Sequence, residues 1–337
     1  MDTFEILSTL CKPCGVSGEE ENASNAALSL LKTIAPNASV DSFYNITAQI
    51  KGRGKKKILL DAHIDQVGFI VTYITDDGFL KFAPVGGIDK RLLPAQRVKI
   101  MAPDGVLDGV ITSIPPHLSD DNDKAQDIDS YYIDAGLEKS EAAKLIPLGT
   151  RVTYATGLSK LCGDRVLSKA LDDRVGAAVI LKALELTGKY SAYDISVSFC
   201  CQEETGESGA KMTAYRAKAD LAVAVDVSFA MARGEKKEKC GEMGKGAMVG
   251  IAPSLSKEMS DAFIKTAQDK DIPYQIEVMN GSTGTDADAI GVSRGGVKTV
   301  TLSVPIKYMH TPAEVVSLAD IDSTALLLAE FLKGGEV

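Results

Sequence analysis

The chain has 337 residues, 45% of them hydrophobic and 25% charged, with a formal net charge of -9. That length exceeds a comfortable single core, so two domains are expected, one of them possible as an insertion in the other. The acidic balance argues against nucleic acid or an anionic membrane as partner, and no apolar run approaches the roughly 20 residues of a membrane-spanning helix. Met1-Asp2-Thr3-Phe4-Glu5 lacks the basic start and apolar stretch of a signal peptide, so a cytoplasmic location is expected. Six cysteines fit that compartment. Cys11-Lys12-Pro13-Cys14 has redox spacing but precedes any predicted strand, which favours a structural role.

In chain order, Ser17-Gly18-Glu19-Glu20 has capping-box spacing and predicts a helix running towards Leu31 and Ile34. Strands follow at Val40–Phe43 and Ile46–Ile50, then a basic stretch from Lys51 to Lys57 that reads as a solvated hairpin turn. Ile58-Leu59-Leu60-Asp61-Ala62-His63 is a continuous apolar run of the kind found in a central buried strand. From Val67 to about Tyr154 the texture changes to short β-rich runs with Gly and Pro punctuation, which suggests a small barrel or sandwich. The acidic stretch Ser119–Asp129 reads as a surface loop, and His117 as exposed. From Ala170 onward helices alternate with strands: helices near Asp173–Leu186, Ser208–Tyr215, Ser256–Ala267 and Leu318–Phe331, strands near Ile195–Cys200, Leu221–Val225, Tyr274–Val278 and Val297–Ser303. The expected fold class is therefore α/β, a mixed central sheet with helices on both faces and an inserted β-barrel-like domain. The expected boundaries are residues 1–66 and 161–337 for the α/β part and 67–160 for the insertion.

Only three histidines exist in the chain, and two of them, His63 and His310, stand near the ends of predicted strands. Asp65, Asp172, Asp173, Glu203, Glu204 and Asp226 also fall at strand ends or at a helix start, where open α/β sheets gather functional groups. Two divalent cations roughly 3.5–4 Å apart can share a carboxylate and a water, lowering the water's pKa while polarising a carbonyl. A bridging carboxylate plus one His and one carboxylate per ion needs five side chains, which His63, Asp172, Glu204, Asp226 and His310 supply. Glu203 fits the part of a general base beside the shared water. Asp65 is placed to hold the second nitrogen of His63. Taken singly, each residue has a plainer reading: Asp172 and Asp173 as acids at a helix start, Glu203 and Glu204 as a solvated turn, either histidine as a hydrogen-bonded core residue.

Several segments in order resemble the tetrahedral-particle aminopeptidases, co-catalytic metallopeptidases that include glutamyl and deblocking aminopeptidases. They are Gly15-Val16-Ser17-Gly18, Ala62-His63-Ile64-Asp65-Gln66-Val67-Gly68, Leu171-Asp172-Asp173-Arg174, Gln202-Glu203-Glu204-Thr205-Gly206, Gly284-Thr285-Asp286-Ala287 and Tyr308-Met309-His310-Thr311. The resemblance implies a phosphorylase/hydrolase-like aminopeptidase domain. It also implies that His63 and Asp226 hold one metal, that Glu204 and His310 hold the other, and that Asp172 bridges them, with Asp173 the alternative bridge. Glu203 would be the general base, Asp65 the partner of His63, and Thr285 and Asp286 substrate-binding residues. A cis peptide would follow the bridging Asp. The two ions, zinc or cobalt, would present a metal-bound hydroxide to N-terminal residues of short peptides. The insertion would serve dimerisation, giving a homo-oligomer from a dimer up to a tetrahedral dodecamer. The chain departs from the family at Gly281-Ser282-Thr283-Gly284, where consecutive glycines are usual, and at Lys307, where Arg is usual. The sequence leaves the preferred N-terminal residue open: Lys245, Arg294 and Lys307 could favour an acidic side chain or equally be solvated or structural cations. A glycoside hydrolase would need two suitably spaced carboxylates and no histidine, and a metal-stabilised shell protein without catalysis is a third reading.

Overall fold

The computed structural model describes residues 1–115, 117, 127–334 and 337. Its helices are α1 (Thr3–Cys11), α2 (Glu21–Leu31), α3 (Lys139–Leu145), α4 (Leu171–Thr187), α5 (Ser208–Ala217), α6 (Lys257–Asp269), α7 (Asp286–Gly291) and α8 (Leu318–Gly334). The first strands are β1 (Ser39–Val40), β2 (Ile46–Ile50), β3 (Lys57–His63), β4 (Gly68–Ile74), β5 (Leu80–Val85), β6 (Arg97–Ala102), β7 (Gly105–Ile111), β8 (Ile133–Asp134) and β9 (Arg151–Tyr154). The remainder are β10 (Ser159–Lys160), β11 (Arg165–Ser168), β12 (Asp194–Cys200), β13 (Leu221–Phe229), β14 (Ala247–Ile251), β15 (Tyr274–Val278), β16 (Lys298–Lys307) and β17 (Glu314–Ser317).

One mixed sheet runs β1-β2-β12-β3-β13-β16-β17-β11-β10, with β14 on β16 and β15 on β14. Strand β3 sits between β12 and β13 and is parallel to both, which is why its sequence is nearly continuously apolar. Residues along the central strands still sort by side. Ile58, Leu60 and Ala62 of β3, with Leu221, Val223 and Val225 of β13, join a large core with α1, α2, α4, α6 and α8. Leu59, Ala222 and Ala224 face the other way, against Ala210 and Ala214 of α5 and Ala287 and Ile290 of α7. The small side chains on that second face let two short helices pack close to the sheet. His63 and Asp226 follow the same alternation as Leu59 and Ala224, and so rise on the α5/α7 side.

Strands β4-β5-β8-β7-β6-β9 close into a barrel. Its interior is a separate core in which Phe69 packs edge-on against Phe82 and Tyr154, with ring centroids 5.0 and 5.4 Å away. The α/β sheet with helices on both faces and a β-barrel is the fold class expected above.

Three local expectations are corrected. Ser17 does not cap the following helix: α2 has Glu20 at its N-cap and no side-chain cap bond. The Ser17 hydroxyl instead donates to Asp65 at 2.6 Å, and Glu20 accepts from the Gly18 amide. The basic stretch after Ile50 is not a hairpin turn, because β12 lies between β2 and β3; Lys51 and the Gly52 amide bind Asp194 of that intervening strand. Asp226 does not end its strand, since β13 continues to Phe229. Of the acidic stretch from Ser119, residues 119–126 lie outside the described residues. His117 is exposed.

Arg174 ties the parts together. Its side chain is fully buried and donates to the carbonyls of Leu10, Pro13 and Ile64 and to the Gln66 side chain. Gln66 in turn donates to Thr153 of β9, so one guanidinium braces the N-terminal segment, the end of β3 and the barrel. Each buried carbonyl left without its donor costs roughly 1–3 kcal/mol. Arg174→Met is therefore expected to lower stability by about 3 kcal/mol or more in urea unfolding; a loss near zero would show that the brace carries no weight.

Candidate metal centre

The site is assembled by the register of the central strands. His63 ends β3 opposite Cys200 of β12, and the chain beyond Cys200 turns sharply at Gln202, φ 61°. That turn delivers Glu203 and Glu204 over the end of β3. Their amides both donate to the Asp65 carboxylate, at 3.1 and 3.3 Å. With the Ser17 hydroxyl this gives Asp65 three donors, so its carboxylate fixes the loop that carries the two glutamates. The His63 Nδ1 hydrogen bond goes to the Asp65 backbone carbonyl at 3.2 Å, with the carboxylate 3.5 Å away.

Asp172 lies between the two imidazoles. Its Oδ1 is 3.0 Å from His63 Nε2, and its Oδ2 is 3.1 Å from His310 Nε2. His310 Nε2 is also 3.3 Å from Glu204 Oε1, and His63 Nε2 is 3.9 Å from Glu203 Oε2. The Asp172–Asp173 peptide bond is cis. The two neighbouring acids divide the tasks that the sequence left open: Asp172 faces the imidazoles, while Asp173 accepts from the Gly176 amide at the start of α4, at 2.9 Å. Asp173 nevertheless offers an oxygen within 4.8 Å of donors on His63 and Asp226, and Asp172, Glu204 and His310 form a second such group.

Charge explains how these groups tolerate one another. Burial opposes a charged His63, but its hydrogen bonds to Asp172 and Asp65 outweigh that and lift its pKa well above the ordinary value. Burial likewise opposes a charged His310, yet Asp172 and Glu204 raise it to about 11. Asp172 is driven down despite burial by the same two imidazoles. The other acids move upward. Burial raises Glu203 to about 7 and also raises Glu204, while burial and the neighbouring carboxylates push Asp173 and Asp226 well up. An oxygen of Asp173 is buried without a hydrogen bond, and among the described residues no Lys or Arg lines the cavity. Carboxylates and imidazoles held this way lack a cation, and nitrogen with oxygen is a donor set suited to zinc and its neighbours.

The cavity above these groups measures about 440 Å³. Thr285 lines it; Asp286 does not, and is buried behind it with Asp61 and Cys200. Burial raises both the Asp61 and Asp286 carboxyls. Sequence reading missed Glu314, which accepts from the amides of Leu171, Asp172 and His310 and so pins two site segments to each other. Nothing in the motif around His310 distinguishes that glutamate from a solvated one. Lys245, Arg294 and Lys307 do not line the cavity.

With the geometry in view, comparison with known proteins defines the class: the chain is an aminopeptidase. Residues 45–327 match the M42 glutamyl aminopeptidase family, and the chain belongs to that family, whose members depend on divalent metal. It is 31% identical to a lysyl aminopeptidase of Pyrococcus furiosus, over 99% of this chain and 97% of that one. The aminopeptidase of the archaeon Desulfurococcus kamchatkensis superposes with a TM-score of 0.92 at 32% identity, covering 98% of this chain and 94% of that one. The TET1 peptidase of Pyrococcus horikoshii, described as able to assemble into a tetrahedron or a large octahedral shell, gives 0.87 at 32% identity, covering 98% and 99%.

Because Asp65 holds the loop bearing both glutamates, Asp65→Asn replaces one accepting oxygen with an amide that faces a donor. Loss of such an orienting partner typically lowers metal affinity by about 10–100-fold. Competition against a zinc chelator should show a loss of that size, and unchanged affinity would remove Asp65 from the support of the site.

Proposed function

We propose that this aminopeptidase holds two divalent ions, zinc or cobalt, and removes N-terminal residues from short peptides. His63 and Asp226 would hold one ion, Glu204 and His310 the other, and Asp172 would bridge them. The observation that carries the reading is that the two oxygens of Asp172 each face a different imidazole, at 3.0 and 3.1 Å. When bound, the ions supply Lewis acidity, which polarises a peptide carbonyl and makes water a better nucleophile. Asp173 remains near enough to His63 and Asp226 to be the alternative bridge.

Glu203 is the general base in this reading. It approaches the His63 end of the site, 3.9 Å from Nε2, yet makes no hydrogen bond to either imidazole, which leaves its carboxylate free to accept a proton. The proton taken from the attacking water passes to the departing amine. The hydrogen bond from His63 Nδ1 to the Asp65 carbonyl fixes a tautomer whose Nε2 lone pair faces the cavity. Thr285 is positioned to contact substrate, and Asp286 to support the wall behind it.

The proposed organisation is a catalytic unit of residues 1–66 and 161–337 with a dimerisation unit of residues 67–160, assembling into a homo-oligomer up to a dodecamer. Exposed Val106, Val110 and Leu148 on and beside the barrel support a contact surface there. A cytoplasmic setting fits six free thiols, and no described helix is long and apolar enough to cross a membrane.

Glu203→Gln should lower kcat on leucyl-p-nitroanilide by roughly 10²–10⁴-fold while mass spectrometry finds the wild-type metal content. Retained turnover would remove Glu203 from the base role. Chelation should abolish cleavage and added zinc or cobalt restore it, whereas chelator-resistant cleavage of a glucan would favour the glycosidase alternative.

A further inference from the structure

The cavity wall away from the imidazoles carries one charged side chain, Glu277 of β15. It enters from a peripheral strand, where β15 pairs with β14 and Glu277 lies beside Gly250. Its orientation is fixed from the sheet. The Ser228 hydroxyl donates to one carboxylate oxygen and the Ser303 hydroxyl to the other, the latter at 3.2 Å. Ser303 is the register partner of Asp226, and Ser228 stands two residues further along β13 on the same face as Asp226. Two strand residues span roughly 6.6 Å, so the Glu277 carboxylate reaches from the level of Asp226, at Ser303, towards the outer part of the cavity, at Ser228. Met279, two residues from Glu277, and Phe229 add apolar surface to the cavity lining.

A carboxylate in this setting is unmatched. Among the described residues no Lys or Arg lines the cavity, and burial raises the Glu277 pKa with only the two serine hydroxyls acting against it. A half-buried acid held open by two hydroxyls and supplied with no fixed cation gains most from a cation that arrives with the ligand. Its apolar surroundings suit the methylene stem of a long basic side chain.

We propose that Glu277 reads the side chain of the substrate's first residue and that the preferred residue is lysine or arginine. The proposal rests on the aminopeptidase reading of the cavity and names its substrate class. An acidic first residue would bring like charge to Glu277, and a leucyl side chain would desolvate the carboxylate without compensation. Lys245, Arg294 and Lys307, which could have favoured an acidic side chain, do not line the cavity. Lys245 is exposed and Arg294 lies over the Tyr215 ring, 5.0 Å from its centroid.

The test is a panel of lysyl-, arginyl-, leucyl- and glutamyl-p-nitroanilides with the full-length, metal-loaded protein. Lysyl and arginyl substrates should exceed leucyl by at least about tenfold in kcat/KM, with glutamyl slowest. Glu277→Gln should lower the lysyl-to-leucyl ratio by about tenfold or more, chiefly through KM, and Glu277→Lys should move the preference towards glutamyl. A ratio metric is insensitive to a general loss of folded enzyme. A wild-type lysyl-to-leucyl ratio below one, or a ratio that Glu277→Gln leaves within about twofold of wild type, would overturn the assignment while leaving the aminopeptidase reading intact. Failure of the wild type to cleave any of the four would instead overturn both.

Discussion

Everything about the site follows from gathering Asp172, Asp173, Glu203, Glu204 and Asp226 around two imidazoles in a poorly solvated pocket. The two imidazoles go part of the way: each oxygen of Asp172 faces one of them, and that carboxyl alone among the five moves down. The other four are pushed up by burial and by one another. A protein can meet that imbalance by binding protons or by binding cations, and an unpartnered buried oxygen on Asp173 favours the second. The supporting structure then has one task, which is to hold mutually repelling groups in place before any cation arrives.

That support comes from groups outside the ligand cluster. Asp65 gathers Ser17 and the amides of Glu203 and Glu204, Glu314 gathers the amides of Leu171, Asp172 and His310, and Arg174 locks the segments beneath them. Gly176 shows how tight the arrangement is, since a Cβ there would lie 2.3 Å from Asp173 and 2.7 Å from the Val225 carbonyl. The same sheet that sets the ligands also sets Glu277, through the Asp226–Ser303 register and the two serines that hold its carboxylate. In the proposed reading, ligand geometry and side-chain selection are two readouts of one strand pairing.

The fold was legible because its signals are local and periodic. The apolar run ending at His63, the Gly- and Pro-punctuated strands after Val67 and the amphipathic helices after Ala170 each declare their state within a short window. The ligand cluster was visible because histidine is scarce and its neighbours fall in family-like motifs. What escaped is what depends on tertiary register. Asp226 looked like a strand end because the apolar run stops there, yet β13 continues to Phe229 against β16. The stretch after Ile50 looked like a hairpin because nothing in it announces that β12, some 150 residues on, will intervene. Ser17 had the spacing of a helix cap, but a buried carboxylate far along the sheet is the better acceptor for its hydroxyl. Glu314 and Glu277 carry no local mark at all, and each matters through a partner far along the chain, 143 and 49 residues away respectively.

The most direct measurement is anomalous diffraction from crystals of the protein loaded with cobalt or zinc. The account predicts two peaks per chain, one between His63 and Asp226 and one between Glu204 and His310, with the Asp172 carboxylate reaching both and Glu203 ligating neither. A single ion, or ions bound away from Asp172, would contradict it.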